Sequence, residues 1–166
     1  MKFLLYSLAG GLVMLFAVIG VGVHGGSFLL SDLAKVDFSG AIGKELFVGF
    51  FIAFAIKAPM VPVHTWLPDT AEQATAGASS LLVGLLDKIG TFGMLRLCLG
   101  LFPAASDWAT PFVLTLAIIS VLWGAMMAAT SSDLMRFVSS TSVSEFGLMV
   151  IGIVALPTTS LTGAFF

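Results

Sequence analysis

Among the ionisable side chains inside apolar runs of this sequence, Lys57, Lys88 and Glu145 stand out. Their chemistry is the gain and loss of a proton. A lysine at bilayer depth costs about 2.5–3.5 kcal/mol on insertion scales, so such residues face protein or water and mark ion pathways. A buried carboxylate titrates nearer neutrality than an exposed one, which proton relays use. The stretch around Lys57 is the most distinctive. An apolar run ends at Lys57-Ala-Pro-Met-Val-Pro-Val-His-Thr-Trp-Leu-Pro-Asp69, which holds Pro59, Pro62 and Pro68. Proline removes a backbone donor and clashes with the preceding turn. A helix that loses hydrogen bonds beside a charge must face protein or water. Broken membrane helices of this kind build ion sites in transporters.

Each residue also has a plainer reading. Lys57 near a helix end could snorkel to the interface. Asp87 and Lys88 could neutralise one another, although adjacent helical residues point about 100° apart; alternatively Lys88 faces an internal water path. Arg96 reads as an interface anchor. Ser139, Ser140, Thr141, Ser142 and Ser144 read as packing hydroxyls, and Met126, Met127 and Trp123 as packing residues. His64 lies in the turn of the proline stretch, and Trp66 fits an interfacial anchor.

The elements that position these residues are membrane helices. The chain has 166 residues, 58% of them hydrophobic and 10% charged, with mean hydropathy +1.11. Soluble domains carry about 25% charged residues, so this composition is that of an all-α integral membrane protein. The net charge of −2 has no basic block, which argues against nucleic-acid binding. One cysteine, Cys98, excludes an intrachain disulfide and any cysteine cluster. His24 and His64 are too scattered to suggest a metal site. No catalytic triad order, metal-ligand spacing or cofactor fingerprint is present.

About five spans are expected: residues 3–23, 46–68 (broken near Lys57–Pro62), 75–99, 108–131 and 137–156. The first run is too long for a signal peptide and long enough to span. Residues 24–44 read as a water-exposed connection with one short helix. Lys57 is expected near mid-bilayer. Asp69-Thr70 could cap the next helix. Pro103 and Asp107-Trp108 mark a loop, with Pro111 in the first turn of the fourth helix. Pro157 ends the fifth, and another element starts at Thr158–Phe166. Lys2 and Arg136 fall on one side, and Lys35, Lys44 and Arg96 on the other, so loop charges leave orientation open.

Residues 50–69, with Lys57, Pro59, Pro62, His64, Trp66, Pro68 and Asp69 in register, closely resemble the broken-helix signature of the antiporter-like subunits of respiratory complex I, the chain M type above all. Leu85–Arg96 resembles the lysine-bearing helix that follows, and Ser132–Gly147 the family's Asp-x-Lys-Arg segment. Departures fall at Ala71–Thr75, where histidine and proline are lost, and at Met135, Ser140 and Glu145. The resemblance implies two inverted five-helix repeats, of which this chain supplies the last three helices of one and the first two of the next. It implies that Lys57 pairs with a glutamate on a helix before Met1, and that Lys88 passes the proton on along the central axis. Glu145 is the third candidate. The chain is then a fragment of a proton-translocating subunit of NADH–quinone oxidoreductase in a bacterial inner membrane. It carries no redox centre. NAD, FMN, iron–sulfur clusters and quinone belong to the assembled complex, and the partners are flanking antiporter-like subunits and lipid. The alternatives are a subunit of a multi-subunit cation/proton antiporter, or a non-functional remnant or scaffold.

Overall fold

The structure, a computed structural model, describes residues 1–38 and 40–155. The side chains of Ala76, Leu86 and Asp87 lie outside this description, and so do the expected helix end at Pro157 and the element over Thr158–Phe166. Among the described residues every regular element is helical: α1 (Lys2–Gly25), α2 (Leu30–Leu33), α3 (Ala41–Lys57), α4 (Trp66–Gln73), α5 (Ala76–Leu81), α6 (Asp87–Gly93), α7 (Pro103–Ala129) and α8 (Leu134–Val154). Leu82–Leu86 and Met94–Leu99 are π-helical turns that join α5, α6 and the approach to α7 into one interrupted rod. This is the all-α architecture expected from composition.

Helices α1, α7 and α8 have 24, 27 and 21 residues and are each long and apolar enough to cross a membrane. Helix α3 stops after 17 residues at Lys57. Helix α1 ends where glycine permits it: Gly26 adopts φ 67°, the left-handed cap that costs glycine nothing. The connection to α3 is less exposed than expected. Leu33 and Phe38 turn inward, and Phe38 packs against Phe102 at 5.2 Å between ring centroids.

The fourth helix begins earlier than the sequence suggests. Pro103 occupies its first turn, where a missing amide hydrogen costs nothing. Residues 107–108 are helical, not a loop, and Pro111 sits in the helix interior. Asp107 and Trp108 read as loop residues because they are polar or interfacial. In the fold both are exposed, and Lys44 lies over the Trp108 ring at 5.1 Å.

Small residues set the packing. A Cβ on Gly124 would meet the Ser144 amide nitrogen at 2.7 Å, and one on Gly147 the Ala117 carbonyl at 2.8 Å, so α7 and α8 lie backbone to backbone. A Cβ on Gly10 would meet Ile56 at 3.3 Å, and Gly49 faces Ala17, so α1 and α3 run antiparallel in close contact. The main core gathers Phe47, Phe50, Phe54 and Phe102 with Met94, Cys98, Val113 and Val150. The outer face of α1, with Leu4, Leu8, Leu15 and Phe16, is exposed apolar surface fit for lipid or further protein.

Candidate functional site

The break after Lys57 is a matter of backbone hydrogen bonds. The Ala58 amide still donates to Phe54 O at 2.6 Å. Pro59 has no amide hydrogen to offer Ala55 O, and the Met60 amide takes that place at 3.2 Å. Ile56 O, left without its regular donor, accepts from the Trp66 indole Nε1 at 2.9 Å. The Val61 amide donates to the Ser120 hydroxyl of α7 at 3.4 Å, and that hydroxyl donates to Val143 O of α8 at 3.4 Å. The Val61–Pro62 peptide is cis. Thus two of the groups freed at the break, Ile56 O and the Val61 amide, are taken up by side chains, as membrane burial favours.

This corrects the reading of Trp66 as an interfacial anchor. Trp66 is 2% exposed, wedged among Phe3, Leu67 and Val143, with the Phe3 ring centroid at 5.4 Å. An indole presents a large apolar body and one donor. Here the donor closes the break from within. Asp69 and Thr70 do not cap the next helix either. Thr70 Oγ1 donates back to Trp66 O, and the Asp69 carboxylate pairs with Lys2 Nζ at 2.5 Å and with Arg136 at 3.8 Å. Arg136 also reaches Glu72 at 3.0 Å. Lys2, Asp69, Glu72 and Arg136 therefore share one end of the bundle. Lys44, near the start of antiparallel α3, marks the opposite end with Trp108. His64 is 5% exposed in the turn before α4, and its Nδ1 has no hydrogen-bond partner among the described residues. Pro59 and Pro68 are fully buried at either end of the same turn.

Lys57 is half-buried, and its ammonium donates to Ser7 Oγ of α1 at 3.4 Å. Ser7 lies five residues beyond Lys2, about 7–8 Å along the helix axis. Lys57 therefore sits inside the apolar span but nearer the Lys2–Asp69 end than the midpoint, because α3 starts at Ala41 rather than near Leu46.

Lys88 lies in α6, directly after the first π turn, and is exposed on the bundle that this chain forms. Its carbonyl accepts from Thr91 Oγ1 at 3.0 Å. Next to it, Gly90 and Gly93 admit Ala58 and the Phe54 ring, so the helix carrying Lys88 rests directly on the break. Glu145 is exposed on α8. The structure joins Lys57 to α1 and sets the Lys88 helix against the break. It brings none of Lys57, Lys88 and Glu145 into a hydrogen bond or ion pair with another of them among the described residues. Four hydroxyls of α8 bond locally or to α7, with Ser139 to Arg136 O at 3.0 Å and Ser144 to Val121 O at 3.1 Å, whereas the buried Ser140 Oγ has no hydrogen-bond partner among the described residues. Ser7, Tyr6 and Ser120 were not singled out by sequence. A signal existed for the first two: they are the only polar side chains between Lys2 and His24.

A bundle of apolar spans in which one helix breaks beside a lysine, with its loose backbone groups held by neighbours, is a multi-pass membrane protein of transporter architecture. The family described as NADH:quinone oxidoreductase/Mrp antiporter, TM, matches residues 1–166, and the chain belongs to that family. It is 45% identical over 98% of its length to NADH-quinone oxidoreductase subunit M of Mycobacterium tuberculosis, and 41% identical over 92% to subunit M of Escherichia coli K12. It spans 32% and 31% of those proteins, about a third of each. Its fold matches a chain in respiratory complex I from Thermus thermophilus with TM-score 0.91 and 32% identity, covering 99% of this chain and 36% of that one. A chain in the Mrp complex from Dietzia matches with TM-score 0.90 at 20% identity, covering 98% of this chain and 30% of that one, a likeness of fold alone.

Proposed function

We propose that this chain is part of a proton-translocating membrane subunit of a bacterial NADH–quinone oxidoreductase, set in the inner membrane among other membrane subunits. The observation that carries the reading is Lys57: an ammonium group inside an apolar span, at a helix break whose loose backbone groups are bound by Trp66 and Ser120, with a hydroxyl as its neighbour. Ionisable side chains inside membrane spans mark proton and ion pathways. Lys88, carried by the helix that rests on the break, is the next station. It faces outward on this bundle, where further segments of a longer subunit would cover it. Glu145 is the weakest of the three, being exposed on α8 with no hydrogen bond or ion pair to either lysine among the described residues. Pro59, Pro62, His64, Trp66, Pro68 and Asp69 shape the site rather than carry the proton.

The five membrane segments are the broken span and its four neighbours, and they correspond to the end of one repeat and the start of the next. This chain's residues move protons and hold no redox group. NADH, FMN, iron–sulfur clusters and quinone act elsewhere in the assembled complex, and their electron transfer drives the lysines at a distance.

A subunit of a cation/proton antiporter shares the fold but is the second reading, since identity to the Mrp chain is 20% against 32% to the complex I chain. Lys57→Ala and Lys88→Ala in the complete subunit test the proposal. Each should cut proton pumping by membrane vesicles about tenfold or more while the complex still assembles, a loss of about 1.4 kcal/mol or more. Pumping at wild-type rate by both variants would leave a scaffold or remnant as the better description.

A further inference from the structure

Helix α1 meets the broken helix along one seam. Phe3, Tyr6, Ser7, Gly10, Ala17 and Val21 recur at helical spacing on the side that packs against α3 and α4. Two of these six are polar, and both meet polar groups of the broken helix. Tyr6 Oη lies 3.4 Å from Thr65 Oγ1, and Ser7 Oγ accepts from Lys57 Nζ at 3.4 Å. At the charged end, Lys2 pairs with Asp69. Three polar rungs thus cross the same interface: Lys2–Asp69 at the surface, Tyr6–Thr65 below it, and Ser7–Lys57 at the break.

We infer that Ser7 is a positioning residue for Lys57, holding the amine at the break through both of its protonation states. The inference rests on the proton-translocating reading of Lys57. A hydroxyl carries one donor and two acceptor lone pairs. It accepts from the ammonium and, by rotating its proton, donates to the neutral amine. A carboxylate offers only acceptors and would favour the charged form alone. The lysine side chain has many rotamers, and a fixed polar neighbour narrows them. The packing leaves little choice of size here, for one turn along α1 the Ile56 side chain already touches Gly10. Tyr6 and Thr65 extend the same polar seam toward Asp69.

The test uses the complete subunit assembled in its complex, with proton pumping by membrane vesicles normalised to assembled complex. Ser7→Ala and Ser7→Cys remove the hydroxyl with little change of volume, and Ser7→Thr keeps it and adds a methyl group. Lys57→Ala is measured beside them. The expected result is a several-fold loss of pumping in Ser7→Ala and Ser7→Cys, most of the rate retained in Ser7→Thr, and near-complete loss in Lys57→Ala. If Ser7→Ala does not assemble, the near-isosteric Ser7→Cys carries the test. Full pumping by Ser7→Cys overturns the inference and leaves the reading of Lys57 intact. The same holds if Ser7→Thr is the worst variant, the order a packing role gives. Full pumping by Lys57→Ala overturns both.

Discussion

The α7–α8 hairpin and the α3–α4 break solve the same problem in opposite ways. Both lie in apolar sequence, and both must pair every backbone amide and carbonyl where water is scarce. The hairpin does so almost wholly within its own helices. Its contact is made by small residues, with Gly124 against Ser140 and Ser144, and Gly147 against Ala117 and Val121. The hydroxyls of Ser139, Ser142 and Ser144 return to backbone carbonyls. The break instead borrows partners: an indole from the start of α4 and a hydroxyl from α7. Interruption costs hydrogen bonds, and the fold replaces them through specific tertiary contacts. That expense falls where Lys57 sits, and the helix carrying Lys88, itself flanked by π turns, rests on the same spot. π turns concentrate at functional positions in other helices too.

The contrast can be broken most severely in the hairpin. Gly124→Leu would drive a side chain into the α8 backbone, with overpacking costs of about 3 kcal/mol. The expected outcome is loss of assembled complex on native gels, whereas an unaffected yield would show that the helices can part. At the break, Trp66→Phe keeps the aromatic body and removes only the donor. Ile56 O is then left unpaired in an apolar setting, at a cost of about 1–3 kcal/mol, visible as a lower thermal midpoint of the solubilised complex. An unchanged midpoint would mean that the indole bond is dispensable. Ser120→Ala should cost less, about 1 kcal/mol, because its bonds at 3.4 Å are long. Glu145→Gln should change neither stability nor pumping beyond measurement error. A strong loss of pumping there would move the site toward α8.

Much of this contrast is legible in the residue order. Pro59 and Pro62 announce the break because their missing amide hydrogens are a local, covalent fact. Gly26 announces the end of α1 for a similar reason. The start of α7 was misplaced because Pro103 is compatible with either a loop or a first turn, and exposed Asp107 and Trp108 carry no periodic signal to decide. The reading of Trp66 failed on a tertiary matter: an amphipathic ring suits an interface, yet its single donor serves the carbonyl that Pro59 displaces. The π turns have no residue signature here. They flank the α-helical stretch where Gly90 and Gly93 let the broken helix approach. Ser7 escaped notice because one hydroxyl in an apolar helix ordinarily bonds its own backbone, and only the partner helix shows otherwise.

Lys57→Arg in the complete subunit puts the central claim to the most direct measurement. Arginine keeps the positive charge and does not release a proton in proteins. If Lys57 carries the proton, pumping by vesicles falls as far as in Lys57→Ala although the complex assembles. If the residue serves only as a fixed charge at the break, Lys57→Arg pumps at close to the wild-type rate, and the account is contradicted.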